Sequence, residues 1–179
     1  MATNNASNDV EIPDDVLTEQ GDVIYATGAG NPAALHHGTA GQVLKTGGHG
    51  ANPSWNDSVV SITFIIDGNG VAITTGVKGF LEVPFACMLT AWTLMADVAG
   101  AIVIDVWNDT YAAFPPTDAD AKPGAGKEPT IAATNQKAQD TDITDWTSTA
   151  IAAGSILAFN VDSCTTITRV TLSLKATKA

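Results

Sequence analysis

His36, His37 and His49 stand in one short stretch of chain, spaced by Gly38, Gly47, Gly48 and Gly50. Neutral imidazoles bind borderline divalent cations, and three of them converging at one level of an oligomer would make a metal site. The glycines permit the close backbone approach that such convergence needs. The simpler reading is three solvated loop histidines, and no cofactor is implied by either.

A second chemistry lies in aromatic side chains beside acids and amides. Trp107 precedes Asn108, Asp109, Thr110 and Tyr111, Phe114 follows, and Trp146 stands between Asp145 and Thr147. Exposed aromatic faces stack on the C–H groups of sugars while carboxylates and amides bond the hydroxyls. Trp107, Tyr111 and Trp146 are therefore candidate glycan contacts. The competing reading is that Trp107, Tyr111 and Phe114 pin a long loop to the domain beneath it. Asp140, Asp142 and Asp145 offer hard oxygens to a calcium ion, but the run lacks the central Gly and final Glu of an EF-hand loop. A loop capped by its own Asp side chains accounts for them equally. Gly124 to Lys127 reads GAGK, and Glu128 stands where a phosphate loop needs Ser or Thr.

Enzymatic sites fare worse. There is no Gly-x-Ser-x-Gly elbow, and every histidine precedes Gly50, so a Ser-His-Asp site in the C-terminal part lacks its base. Paired carboxylates have no diagnostic spacing, which leaves Glu82, Asp97, Asp105 and Glu128 without an assigned role. The expectation is a protein that is not an enzyme.

Bulk composition narrows the partners. Lys and Arg number 8 against 19 Asp and Glu, a formal net charge of -11 that repels phosphate backbones, so no nucleic-acid partner is expected. The N-terminus is polar and acidic, unlike a secretory signal, and no apolar run reaches the roughly 18 residues of a membrane helix. A protein made in a cytoplasm, without membrane insertion, is expected. Two cysteines are too few for a disulfide framework. Cys87 lies in an apolar run and reads as a buried small hydrophobe; Cys164 reads as part of a polar loop.

Three regions position these residues. Residues 1–16 are polar and acidic, and Val10, Ile12, Val16 and Leu17 alternate with acids in a way that suits docking as an extended peptide. Residues 17–57 are rich in Gly, Ala and Thr, with two short apolar runs at Asp22–Tyr25 and Gln42–Leu44. Such a segment cannot bury a core alone, because glycine adds ordering cost without a side chain. Residues 58–179 change to β pattern: Ser58–Asp67, Val71–Thr75, Gly79–Val83, Cys87–Met95, Ala101–Trp107, Ile156–Val161 and Thr166–Leu174 read as strands. Cys87–Met95 and Ala101–Trp107 read as a hairpin, with Met88, Thr90, Trp92 and Leu94 on one face. Trp92 is core. The long proline-bearing loop between Asn108 and Ile151 is expected to hold short β pieces near Thr130–Ala133 and Ile143–Thr147. The fold class is all-β: an extended arm followed by a sandwich of about eight strands, jelly-roll-like.

The segment LTEQGDVIYATGAGNPAALHHGTAGQVLKTGGHGANPSWND, from Leu17 to Asp57, resembles a unit of bacteriophage fibre and virion appendage proteins, with GDVIYATG, GTAGQVLKT and Trp55 in order. The stretch from Ser61 to Lys175, with FIIDG, GFLEVPFAC, TAWTL and ITRVTLSLK, is similar in style to the β-sandwich heads of phage virion proteins. The resemblance implies a virion structural protein: a short homotrimeric tail or head fibre, or a capsid decoration, docked by its N-terminus on capsid or tail proteins. The alternative is an adhesin whose head binds host-surface glycan.

Overall fold

Strands carry almost all of the regular structure in the computed structural model, which describes residues 16–28 and 31–179. Val10 and Ile12 lie outside the described residues; Val16 is half-buried and Leu17 exposed. The chain divides into two compact units between Ser58 and Val59.

The N-terminal unit contains two antiparallel hairpins where the composition suggests an extended arm. Strand β1 (Val23–Gly28) pairs with β2 (Asn31–Leu35), and β3 (Gln42–Lys45) with β4 (Ser54–Asp57). Asn31 Nδ2 donates to Thr27 Oγ1 at 2.7 Å across the first turn. Trp55 Nε1 donates to the His36 carbonyl at 2.6 Å, and a Cβ at Gly38 would stand 2.8 Å from the indole ring. Glycine is thus required where the tryptophan lies over the chain. Among the described residues of this unit none is buried as a whole. Two-stranded hairpins without a core are marginal in water.

The C-terminal unit is wound differently. Its strands are β5 (Val59–Asp67), β6 (Gly76–Val83), β7 (Cys87–Ala96), β8 (Ile102–Thr110), β9 (Thr130–Ile131), β10 (Lys137–Asp140), β11 (Ala150–Ile151), β12 (Ser155–Cys164) and β13 (Arg169–Lys178). First pairs with last, β5 with β13; then β6 with β12, β7 with β10 and β8 with β9, all antiparallel. The result is one long hairpin rolled into two sheets, ordered β10-β7-β13-β5, with β11 beside β7, and β6-β12-β8-β9. That nested pairing is a jelly roll, and the all-β expectation holds.

A single core fills the space between the sheets. Leu94, Val170, Leu172 and Leu174 from one sheet meet Ile102, Ile104, Val106, Leu157, Phe159 and Val161 from the other. Phe64 stacks on Phe159 with centroids 4.2 Å apart, directly over Gly79, whose missing side chain leaves the ring its place. Trp92 is core as expected, and Cys87 is a buried free thiol; Cys164 ends strand β12, with its Sγ 3.5 Å from the Ile167 carbonyl, and also is free.

Several local expectations need correction. Strands β7 and β8 do not form a hairpin: they lie in opposite sheets, and the intervening turn arches across the sandwich edge. On β7 a bulge opposite Lys175 and Ala176 shifts the register, so Leu89, Trp92 and Leu94 point inward while Met88 is exposed. Residues 71–75 form no strand; there the chain drops Ile73 into the core, with its N–H on the Ile167 carbonyl at 2.9 Å. Residues 143–147 form a turn that buries Ile143 and Trp146. The last strand, whose register the sequence leaves open between Val170 and Arg169, turns Val170, Leu172 and Leu174 inward on β13, with Arg169 outside and paired to Asp67.

The edge turn is organised by Asp97. Its carboxylate accepts the Thr168 hydroxyl and the backbone N–H groups of Val98 (2.9 Å), Thr168 (3.2 Å) and Arg169 (3.0 Å). The Thr168 hydroxyl first, then those amides, hold its carboxyl down at about 2 against an ordinary 3.8. A depressed pKa of this kind contributes stability above the unfolded value and loses it as pH falls through the folded one. Asp97→Asn should therefore lower the melting temperature at neutral pH. The gap to the parent protein should close as pH falls from 3.8 towards 2, measured by thermal unfolding across that range.

Candidate functional site

The loop after β8 returns along the edge of that strand, on the side where β9 pairs with it in the β6-β12-β8-β9 sheet. It is fastened by the Lys122 N–H to the Val106 carbonyl at 2.9 Å and by the bridge between Trp107 and Ala121. Trp107 is half-buried there, and its Nε1 donates to Asp105 Oδ2 at 2.6 Å. Asp105 is only 4% exposed and also accepts the Val106 N–H at 2.7 Å. Burial pushes its carboxyl upward, as do the charges of Asp162 and Glu128, against the two hydrogen bonds that lower it. Trp107 thus clamps a buried acid, and its one donor is spent.

The three expected glycan contacts do not form one surface. Trp146 is 6% exposed and belongs to the hydrophobic core, so it cannot stack on a ligand. Its polar neighbours in sequence conceal this, because the turn from Ile143 to Trp146 is closed by a backbone bond of 3.0 Å that points both apolar side chains inward. Tyr111 alone is free, at 80% exposure, in a single 3-10 turn, Tyr111–Ala113.

What surrounds Tyr111 is a hollow of about 370 Å³ lined by Phe80, Leu81, Glu82, Tyr111, Phe114 and Ile156. Strand β6 supplies Phe80 and Glu82 because both sit at outward positions of its alternation, with Leu81 and Val83 turned to the core. Phe114 meets Phe80 edge-on, centroids 4.7 Å apart and planes at 64°. Two aromatic faces set at an angle, with a carboxylate and a phenol at the rim, suit a small ligand that has one apolar face and several hydroxyls. Phe80 escapes the sequence reading, and Glu82 stands there without a role, because only the register of β6 beside β12 brings them to the loop of Tyr111 and Phe114.

The acids of the Asp140–Asp145 run are engaged within their own loop or by Lys127. Asp140 Oδ1 accepts the Asp142 N–H at 3.0 Å, Asp142 Oδ1 accepts the Thr144 N–H and hydroxyl at 3.2 and 2.7 Å, and Asp145 pairs with Lys127. They cap a loop, as the simpler reading has it. In the N-terminal unit His36 Nδ1 stands 3.3 Å from Asp22 Oδ2, His37 Nε2 3.2 Å from Glu19 Oε2, and His49 lies in an exposed turn.

These features define a class: a jelly-roll β protein with an aromatic hollow on one sheet and an N-terminal unit in which no described residue is buried. No family model and no curated protein matches the chain. Among solved structures, the crystal structure of a serine protease of Aeromonas sobria overlaps 86% of this chain at 9% identity with a TM-score of 0.31. This chain covers 36% of that one, and a likeness so slight bears on neither fold nor activity.

The loop's anchors and its free residue should separate in unfolding experiments. Tyr111→Ala should change stability by no more than about 0.5 kcal/mol, as for an exposed surface residue. Phe114→Ala should cost about 1 kcal/mol, with the loss of the aromatic pair. Trp146→Ala should cost about 3–5 kcal/mol, as for a core aromatic. Urea denaturation of the three variants gives the ranking directly.

Proposed function

We propose that this is a non-enzymatic virion structural protein of a tailed bacteriophage, a short trimeric fibre or decoration that docks by its N-terminus and presents the jelly roll outward. The observation that carries the reading is the N-terminal unit. It has the fibre-like wording from Leu17 to Asp57, yet Val43 is 50% and Leu44 47% exposed, and no described residue there is buried. A second and a third copy would cover those side chains, which is how a segment without its own core becomes ordered. The partners on this reading are sister chains and capsid or tail proteins.

The hollow around Tyr111 favours a second role for the same head, that of an adhesin gripping host-surface glycan. Stacking from Phe80 and Tyr111 and hydrogen bonding by Glu82 are the expected contacts. Trp107 would support the loop from beneath, and Trp146 would take no part. Titrating the head against a glycan array separates the two: an adhesin binds with an affinity that Tyr111→Ala and Glu82→Gln reduce, while a purely structural head binds nothing.

Light scattering coupled to gel filtration should report about three chain masses for the purified protein. A monomer at micromolar concentration contradicts the trimer. Removing Met1–Val16 should leave that oligomer intact and abolish incorporation into particles. Normal copy number of the truncated chain on virions would move the docking role elsewhere.

A further inference from the structure

The N-terminal hairpin β1–β2 is bracketed by an unusual group. Asp22 immediately precedes β1, His36 immediately follows β2, and Glu19 stands one turn before Asp22. Ligand atoms of Glu19, Asp22 and His36 all lie within 4.8 Å of one another. From this arrangement we propose that Glu19, Asp22 and His36 form an intrachain site for a divalent first-row ion such as zinc, one per chain, which clasps the two ends of the hairpin.

Asp22 is the built part of the site. Its side chain is 1% exposed although its neighbours are open to water. Oδ2 accepts the N–H groups of Thr18 and Glu19, both at 3.2 Å, and Oδ1 accepts that of His37 at 3.1 Å. Oδ2 accepts two backbone donors and Oδ1 one, which leaves Oδ1 a free lone pair.

His36 Nδ1 stands 3.4 Å from Oδ1 and 3.3 Å from Oδ2. In the tautomer with its proton on Nε2, the Nδ1 lone pair faces the carboxylate, and a cation between them satisfies both. Nitrogen and oxygen ligands about 2.0–2.2 Å from a tetrahedral zinc sit roughly 3.3–3.6 Å from each other, which is the spacing of His36 Nδ1 and the Asp22 carboxylate. His37 does a different job. Its Nε2 lies 3.2 Å from Glu19 Oε2, where it orients the carboxylate.

One imidazole with two carboxylates suits zinc or a similar transition metal better than calcium or magnesium, which favour oxygen alone. The two carboxylates neutralise the ion, and three protein ligands leave a fourth position to water. A metal clasp also supplies what this unit lacks, since a hairpin without a core gains order from any bond that closes it. The site differs from three histidines gathered on an oligomer axis: it uses neither His37 nor His49 as a ligand, and its stoichiometry is one per chain.

Calorimetric titration of chelator-stripped full-length protein with zinc near neutral pH tests this, with metal counted by native mass spectrometry. One ion per chain is expected. His36→Ala and Glu19→Gln should each weaken binding about tenfold or more, and His49→Ala should leave it unchanged. Glu19→Gln keeps the size of the side chain, so its result stands even if His36→Ala disturbs the hairpin. No uptake at micromolar zinc, one ion per three chains, loss of binding in His49→Ala, or full affinity in Glu19→Gln would each overturn the site.

Discussion

Closure of the head rests on the pairing of its first strand with its last. β5 runs antiparallel to β13 from Val59 opposite Thr177 to Asp67 opposite Arg169, and every other pair nests inside it. The central strands then present Leu94, Leu172 and Leu174 to Phe159 and Val161 at zero or near-zero exposure, so core burial and strand order enforce each other. Side-chain polarity marks the join from outside: Ser61 bonds Ser173 at 2.7 Å and Arg169 bonds Asp67 at 2.9 Å. Because these partners are so distant in sequence, loop-closure entropy must be overcome before their contacts reward it, and slow folding is the expected consequence.

Much of this was legible in the residues. The final strand alternates apolar and polar side chains, and strands buried on one face keep that record. The pairing of β7 with β8 misled because Asp97, Val98, Ala99 and Gly100 make a plausible hairpin turn. A local signal cannot report that Asp97 is engaged by Thr168 and Arg169, residues far along the chain. Strand β10, Lys137–Asp140, went unseen since an edge strand with one half-buried alanine carries almost no hydrophobic period. The site was legible in part. Tyr111 stood out, whereas Trp146 took its reading from polar neighbours, and Phe80 and Glu82 acquired meaning only through the register of β6.

The two units owe their order to different sources. The head has its own core, held by buried Ile, Leu, Val and Phe from both sheets. The N-terminal unit has Trp55 on the His36 carbonyl, the Asp22 carboxylate and two short ladders, with no buried residue among those described. That contrast is what the proposed fibre role draws on: a head with its own core, and an N-terminal unit that would gain order from sister chains and, through Glu19, Asp22 and His36, from an ion.

Hydrogen–deuterium exchange on the full chain, followed strand by strand across a dilution series from oligomer to monomer, tests that contrast most directly. The account predicts slow exchange in β12 and β13 at every concentration, with protection of β1 to β4 present in the oligomer and lost on dilution. Protection of β1 to β4 that persists unchanged in the monomer would show that the N-terminal unit orders itself, and would contradict the account.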